Sequence, residues 1–350
     1  MPDLVSAVNT AFAFAHEPSD LAMLVAPASE CFRIPGTREV LDLAQNVETE
    51  EELNEILRRV APTIGVPDPF KAAVMAMLAG TLIEWGADPA HIAGLLLARL
   101  PIFLRLAESV ADRVETEDAA KVFAANPDGF RAWQSLSLML LPTMAVLTRG
   151  MAYRQLARAD TGLVQHINAL RERNKEANFV ALTLEYTDGL ELIVLHPAAG
   201  KGFRVQLEAV HTNAHLFTLL QGELIGGGLL PGPAINDHVV GVARGEIPHE
   251  SLVTDHARWH FYNWTGLLPD GSLAGAAVNS WLFVDDSPEA IPMFEGTRIV
   301  VLGPNLLGMR GWDSNFFANI HDALRSAARV VEELTAEQTL VWCGRIRAAG

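Results

Sequence analysis

The sequence predicts an α+β protein: an all-α N-terminal helical bundle over residues 1–175, then a mostly antiparallel sheet covered by helices over residues 176–350. Three observations carry this. Capped segments with helical periodicity fill the first half, the apolar period shortens to two after Lys175, and an apolar stripe of helical spacing closes the chain.

The first helix start is Thr49 followed by Glu50, Glu51 and Glu52, a capping box that opens a helix over residues 50–60 with Leu53, Ile56, Leu57 and Val60 on one face. Asp88-Pro89 and Asn126-Pro127 each set a capping side chain before a proline, whose missing N–H costs nothing in the first turn. Residues 69–85 and 89–114 are apolar nearly all round, as helices in the middle of a bundle are, and Pro101 should bend the second. A helix over residues 161–175 ends in a charged run, Arg171 to Lys175, where a domain edge is expected near residues 174–178.

Beyond it, Phe179, Ala181, Leu182, Leu184 and Tyr186, then Asp188-Gly189, then residues 190–196 read as a β-hairpin. A strand over 203–210 would extend it into a meander. Asn213 can cap a helix over 214–225, which the glycine- and proline-rich residues 226–233 end. Further strands are expected at 257–264, 276–284 and 298–302. A final helix is expected over 315–334, with Phe317, Ile320, Leu324, Ala327, Val331 and Leu334 as its stripe.

With 350 residues, half of them hydrophobic, the chain can bury a large core. A net charge of −16, negative in both halves, excludes the basic footprint that nucleic-acid binding requires. The first basic residue is Arg33, so the apolar start lacks the positive leader of an export signal; a cytoplasmic protein is expected. The most membrane-like run, residues 132–148, is short and holds Gln134 and Pro142, which fits a kinked buried helix rather than a membrane span. Cys31 and Cys343 match neither a disulfide framework nor a zinc spacing and read as small buried hydrophobes.

Seven of the eleven histidines fall between His196 and His260, which invites a metal reading for His211/His215 and His256/His260. Neither pair fits. In a strand, residues four apart are about 13 Å from each other, and His211 and His215 straddle a strand end and a helix. No metal and no cofactor is expected. Asp285-Asp286-Ser287-Pro288-Glu289 resembles a cation site in outline but reads more simply as a helix cap, with Ser287 capping and Pro288 in the first turn. Gly200-Lys201-Gly202 and Gly226-Gly227-Gly228 lack the spacing of phosphate loops and read as turns. Asp313 or Ser314 reads as the N-cap of the last helix, and His321 as a packing residue.

What remains is the strand around residue 260. Trp259 and Phe261 should face one way with the other aromatics, while His256, Arg258, His260 and Tyr262 should form a polar row able to serve an anion. These four are the candidate ligand-binding residues. The leading expectation is a non-catalytic module that binds a small anionic molecule or a protein partner. The alternative is a cytosolic enzyme that assembles the same residues with Asp255 or Asp313.

Overall fold

In a computed structural model the protein is described over residues 2–25, 34, 36–248, 253–306, 308–312 and 320–350. It is an α+β chain that divides into two compact units, Met1–Leu184 and Glu185–Gly350.

The described part of the first unit contains helices α1 (Pro2–His16), α2 (Leu21–Leu24), α3 (Thr37–Ala44), α4 (Glu50–Val60), α5 (Pro69–Glu84), α6 (Ala90–Glu108) and α7 (Ala111–Val114). They are followed by α8 (Ala119–Ala125), α9 (Pro127–Gln134), α10 (Leu136–Leu147), α11 (Met151–Ala159), α12 (Thr161–Leu170) and α13 (Lys175–Glu185). The caps act as the sequence implies. Thr49 and Glu52 form the reciprocal box of α4, Asp88 Oδ1 accepts the Ala90 amide, and Asn126 Oδ1 accepts the Gly129 amide. Buried nearly all round, α5 packs on α10 across Gly80, where an added Cβ would lie 2.6 Å from Pro142 Cβ. The run 132–148 is broken at Ser135 into α9 and α10, while α6, which carries Pro101 inside it, has the length and apolarity of a membrane span with 44% of that window buried.

Residues 179–185 are helical, which corrects the expected first strand of a hairpin. Asn174 Oδ1 accepts the Ala177 amide and starts α13, Thr183 Oγ1 bonds the Phe179 carbonyl one turn back, and Ala177, Val180, Ala181 and Leu184 form the buried face. An almost unbroken apolar run satisfies both periods, so the local cap and the packing decide.

The second unit holds β1 (Glu191–His196), β2 (Lys201–Glu208), β3 (Val253–His256), β4 (Trp259–Tyr262), β5 (Met293–Phe294), β6 (Thr297–Pro304), β7 (Met309–Trp312) and β8 (Ala327–Leu334), with helices α14 (Asn213–Gln221), α15 (Asp237–Ala243) and α16 (Ala336–Ala349). Its main sheet has the order β4-β6-β1-β2-β8, with β5 added on β6; β3 and β7 pair separately. The sheet is mixed: β1 runs parallel to β6 and antiparallel to β2. Both faces are buried. One packs Leu192, Val194, Phe203 and Val205 with Leu216, Phe217 and Leu220 of α14; the other packs Ile193, Leu195, Ile299 and Val301 with Cys343 and Ile346 of α16. Two-sided burial explains why β1 and β6 read as continuous apolar runs.

Two more expectations are corrected. Residues 276–284 contribute one bridge, Tyr262 to Trp281, and a 3-10 turn over Val278–Ser280 instead of a strand. The helix expected over 315–334 is strand β8 from Ala327 onward. Arg204–Glu332 and Lys201–Glu333 ion pairs at 3.0 and 2.7 Å link it to β2. The closing helix starts later, on a Thr335/Gln338 capping box. Cys31, Asp313, Ser314 and Phe317 lie outside the described residues.

Candidate functional site

The polar residues of helix α14, Asn213, His215, Thr218 and Gln221, are all buried. After Gln221 the helix widens into one π-turn, Gly222–Gly226, an irregularity that frequently accompanies functional positions. Gln221 Oε1 is the meeting point of two arginines: it accepts the Arg258 backbone amide at 2.9 Å and Arg310 Nη2 at 2.6 Å. Thr218 Oγ1 lies 3.4 Å from Arg310 Nη1.

The small β3–β7 ladder sets the register, pairing Asp255 directly with Arg310. Asp255 Oδ1 accepts the His256 amide at 2.7 Å and Arg258 Nη2 at 3.1 Å. The Arg258 side chain is only 6% exposed; it also donates to the carbonyls of His256 and Ala234, while its Nε–H is buried without an acceptor among the described residues. Arg310 makes no ion pair within 4 Å among the described residues. Burial lowers its pKa to about 10, with Asp255 opposing that shift and Arg258 adding to it. Asp255 pairs with Arg258, while among the described residues the Arg310 guanidinium is met only by the neutral oxygens of Gln221 and Thr218. Such a charge is costly unless another anion joins it.

The four residues read from the sequence do not form one row. The chain leaves β3 at His256 and enters β4 at Trp259, so His256 and Arg258 belong to the ladder region while His260 and Tyr262 belong to the main sheet. His256 is exposed and offers its carbonyl to Arg258. His260 and Tyr262 are each 1% exposed and lie among Trp281 and the α16-side core; the His260 ring sits 4.4 Å from Tyr262 and 4.3 Å from Trp281. Burial lowers the His260 pKa and raises that of Tyr262, and among the described residues neither His260 ring nitrogen has a hydrogen-bond partner. Tyr262 and Trp281 both donate to the Gly275 carbonyl, at 3.1 and 2.9 Å. Asp255 does join Arg258, whereas Asp313 is outside the described residues. The residues the sequence reading missed are Thr218, Gln221 and Arg310. A faint signal exists for the first two, polar positions three apart in the otherwise apolar run 216–221; Arg310 becomes visible only through strand pairing.

The other candidate motifs resolve locally. His215 Nδ1 accepts the His211 amide at 3.3 Å and its Nε2 bonds the Ala243 carbonyl at 2.7 Å, which places the proton on Nε2. Ser287 accepts the Glu289 amide as a cap, and Lys201 pairs with Glu333 and donates to the Leu229 carbonyl. Among the described residues no group of three or more His, Cys, Asp or Glu is placed to hold a metal ion. Comparison with protein-family models, with curated proteins and with solved structures finds no match.

Proposed function

We propose that the second unit binds a small monoanion, such as a carboxylate, through Arg258 and Arg310, and that the helices of the first unit form a bundle that serves as its scaffold. The carrying observation is the charge count at Gln221 among the described residues: two arginines, one aspartate, and an Arg258 Nε–H that lacks an acceptor there. A monoanion would supply the missing acceptor and the missing charge together, and a charge-assisted hydrogen bond to a guanidinium is among the stronger polar contacts a protein makes. His256 contributes through its backbone carbonyl. His260 and Tyr262 support the sheet from its other face and are not part of this site.

The test is calorimetric titration of the full chain with acetate, inorganic phosphate and sulfate, repeated with Arg310→Gln and Arg258→Gln. Acetate should bind the wild type and lose at least tenfold in affinity in either variant, since a lost charged hydrogen bond is worth roughly 1.5–3 kcal/mol. Absence of binding by all three anions, or equal binding by wild type and both variants, refutes the proposal.

A further inference from the structure

In the first unit, helices α3, α4 and α5 pack against one another and leave an open cleft of about 710 Å³ between the end of α3, the start of α4 and the end of α5. That volume falls within the range of small-molecule pockets, about 300–1,000 Å³.

Trp85 lines the cleft because α5 stops beside it. Gly86 takes φ +113°, the Gly86 and Ala87 amides bond the Ile83 and Leu82 carbonyls, both at 3.0 Å, and the chain turns out of the helix. Leu82 and Ile83 are fully buried, but Trp85 is 42% exposed. Among the described residues no hydrogen bond, ring or cation engages its indole. Val47 and Leu53 add apolar surface to the same lining.

The charged side chains of the lining are Glu48 and Glu50, both exposed and neither in an ion pair among the described residues. Neighbouring charges are already matched: Arg58 pairs with Glu51 at 2.6 Å and Glu55 at 3.2 Å, Arg59 with Glu55 at 2.7 Å, and Arg149 with Glu84 at 2.8 Å. The positive end of α4 is taken as well, since Glu52 Oε2 accepts the Glu48 and Thr49 amides at 3.1 and 3.3 Å. The ends of α3 and α5 that reach the cleft are their carbonyl ends, which carry partial negative charge. Among the described residues, then, the cleft joins an unoccupied indole to unmatched negative charge.

We infer that this cleft binds a small molecule bearing a quaternary ammonium group, with its methyl groups against Trp85 and its charge facing Glu48 and Glu50. Such a cation has no N–H to satisfy and gains most from the face of an indole, the best cation–π partner among side chains. A hard metal ion is a poorer match, because the lining offers two carboxylates and an indole where such an ion takes about six oxygen ligands. The site does not depend on the anion site at Gln221.

The probe is choline, compared with its uncharged isostere 3,3-dimethylbutan-1-ol, each titrated by NMR into the full chain while the Trp85 indole N–H is followed. Choline should shift that signal and the alcohol should bind at least tenfold more weakly. Trp85→Leu should weaken choline about tenfold, within the reach of a desolvated cation–π contact, and Trp85→Tyr should restore part of the loss. Glu48→Gln combined with Glu50→Gln, at exposed positions, should weaken choline and leave the alcohol unchanged. Equal binding of choline and the alcohol, unchanged choline affinity in Trp85→Leu or in the double glutamine variant, or no binding of choline at millimolar concentration overturns the inference. Tighter binding of N-acetyl-trimethyllysine amide than of choline would make the occupant a modified protein side chain and overturn the small-molecule assignment. Arg258→Gln should leave the choline affinity unchanged; loss of binding in that variant would place choline elsewhere and also overturn it.

Discussion

Acid should weaken the second unit through one buried imidazole, His215. Its side chain is completely buried between α14 and the end of α15, with Nε2–H donating to the Ala243 carbonyl and Nδ1 accepting the His211 amide. Desolvation lowers its pKa from 6.5 to about 4, outweighing the Ala243 carbonyl, which pulls the other way. Protonation would also cost the acceptor at Nδ1. The unfolded chain therefore takes up the proton first, and stability is fully present above about pH 7, then falls as the pH drops from about 6.5 towards 4. From these two pKa values the loss between about pH 8 and pH 5 is roughly 2 kcal/mol. Urea denaturation followed by tryptophan fluorescence is the appropriate assay, since five of the seven tryptophans, Trp259, Trp264, Trp281, Trp312 and Trp342, belong to the second unit. His215→Gln keeps a donor and an acceptor but cannot titrate. Histidines 196, 211 and 260, whose pKa values burial also lowers, remain in both proteins, so the difference in slope isolates His215. Identical losses in wild type and His215→Gln would refute the reasoning.

Other substitutions probe separate links in the fold. Gly80→Ala should destabilise the first unit by roughly 1–3 kcal/mol, because its new methyl would overlap Pro142 where α5 meets α10; a change below half a kilocalorie in thermal unfolding would show that the helices can part freely. Thr49→Ala removes the acceptor for the Glu52 amide and should cost about 1 kcal/mol, measured by urea midpoint, whereas Thr49→Asp should restore most of it. Phe203→Ala, at a fully buried position of β2, should cost about 3–5 kcal/mol in the second unit, and a smaller loss would mean that α14 closes over the gap.

Much of the first half was legible in the sequence because its signals are local. A capping box at Thr49, aspartate and asparagine before proline at residues 88 and 126, and helices apolar all round are each set by neighbours within one turn. The elements β2, β6 and α14 were legible as elements, but not their limits: β2 spans Lys201–Glu208 instead of 203–210, and Thr212, not Asn213, caps α14. Where the reading failed, the local signal was degenerate. Residues 179–185 and 327–334 fit both a period of two and one of 3.6. Asn174 tipped the first to helix, and pairing with β2, more than one hundred residues away in the chain, tipped the second to strand. The candidate site divides in the same way. Arg258 was legible as a candidate anion ligand and Asp255 as a carboxylate that could join it. Their relation to Gln221 and Arg310 was not, because hydrogen bonds spanning 37 and 89 residues leave no spacing to read. The sequence by itself determined which segments are stiff, apolar and capped, since those properties depend on contacts within a few residues. Only the tertiary structure decided that Arg258 and Arg310 share Gln221 Oε1 and that residues 327–334 pair with β2, since hydrogen-bond partners and strand pairing depend on which distant segments are brought together.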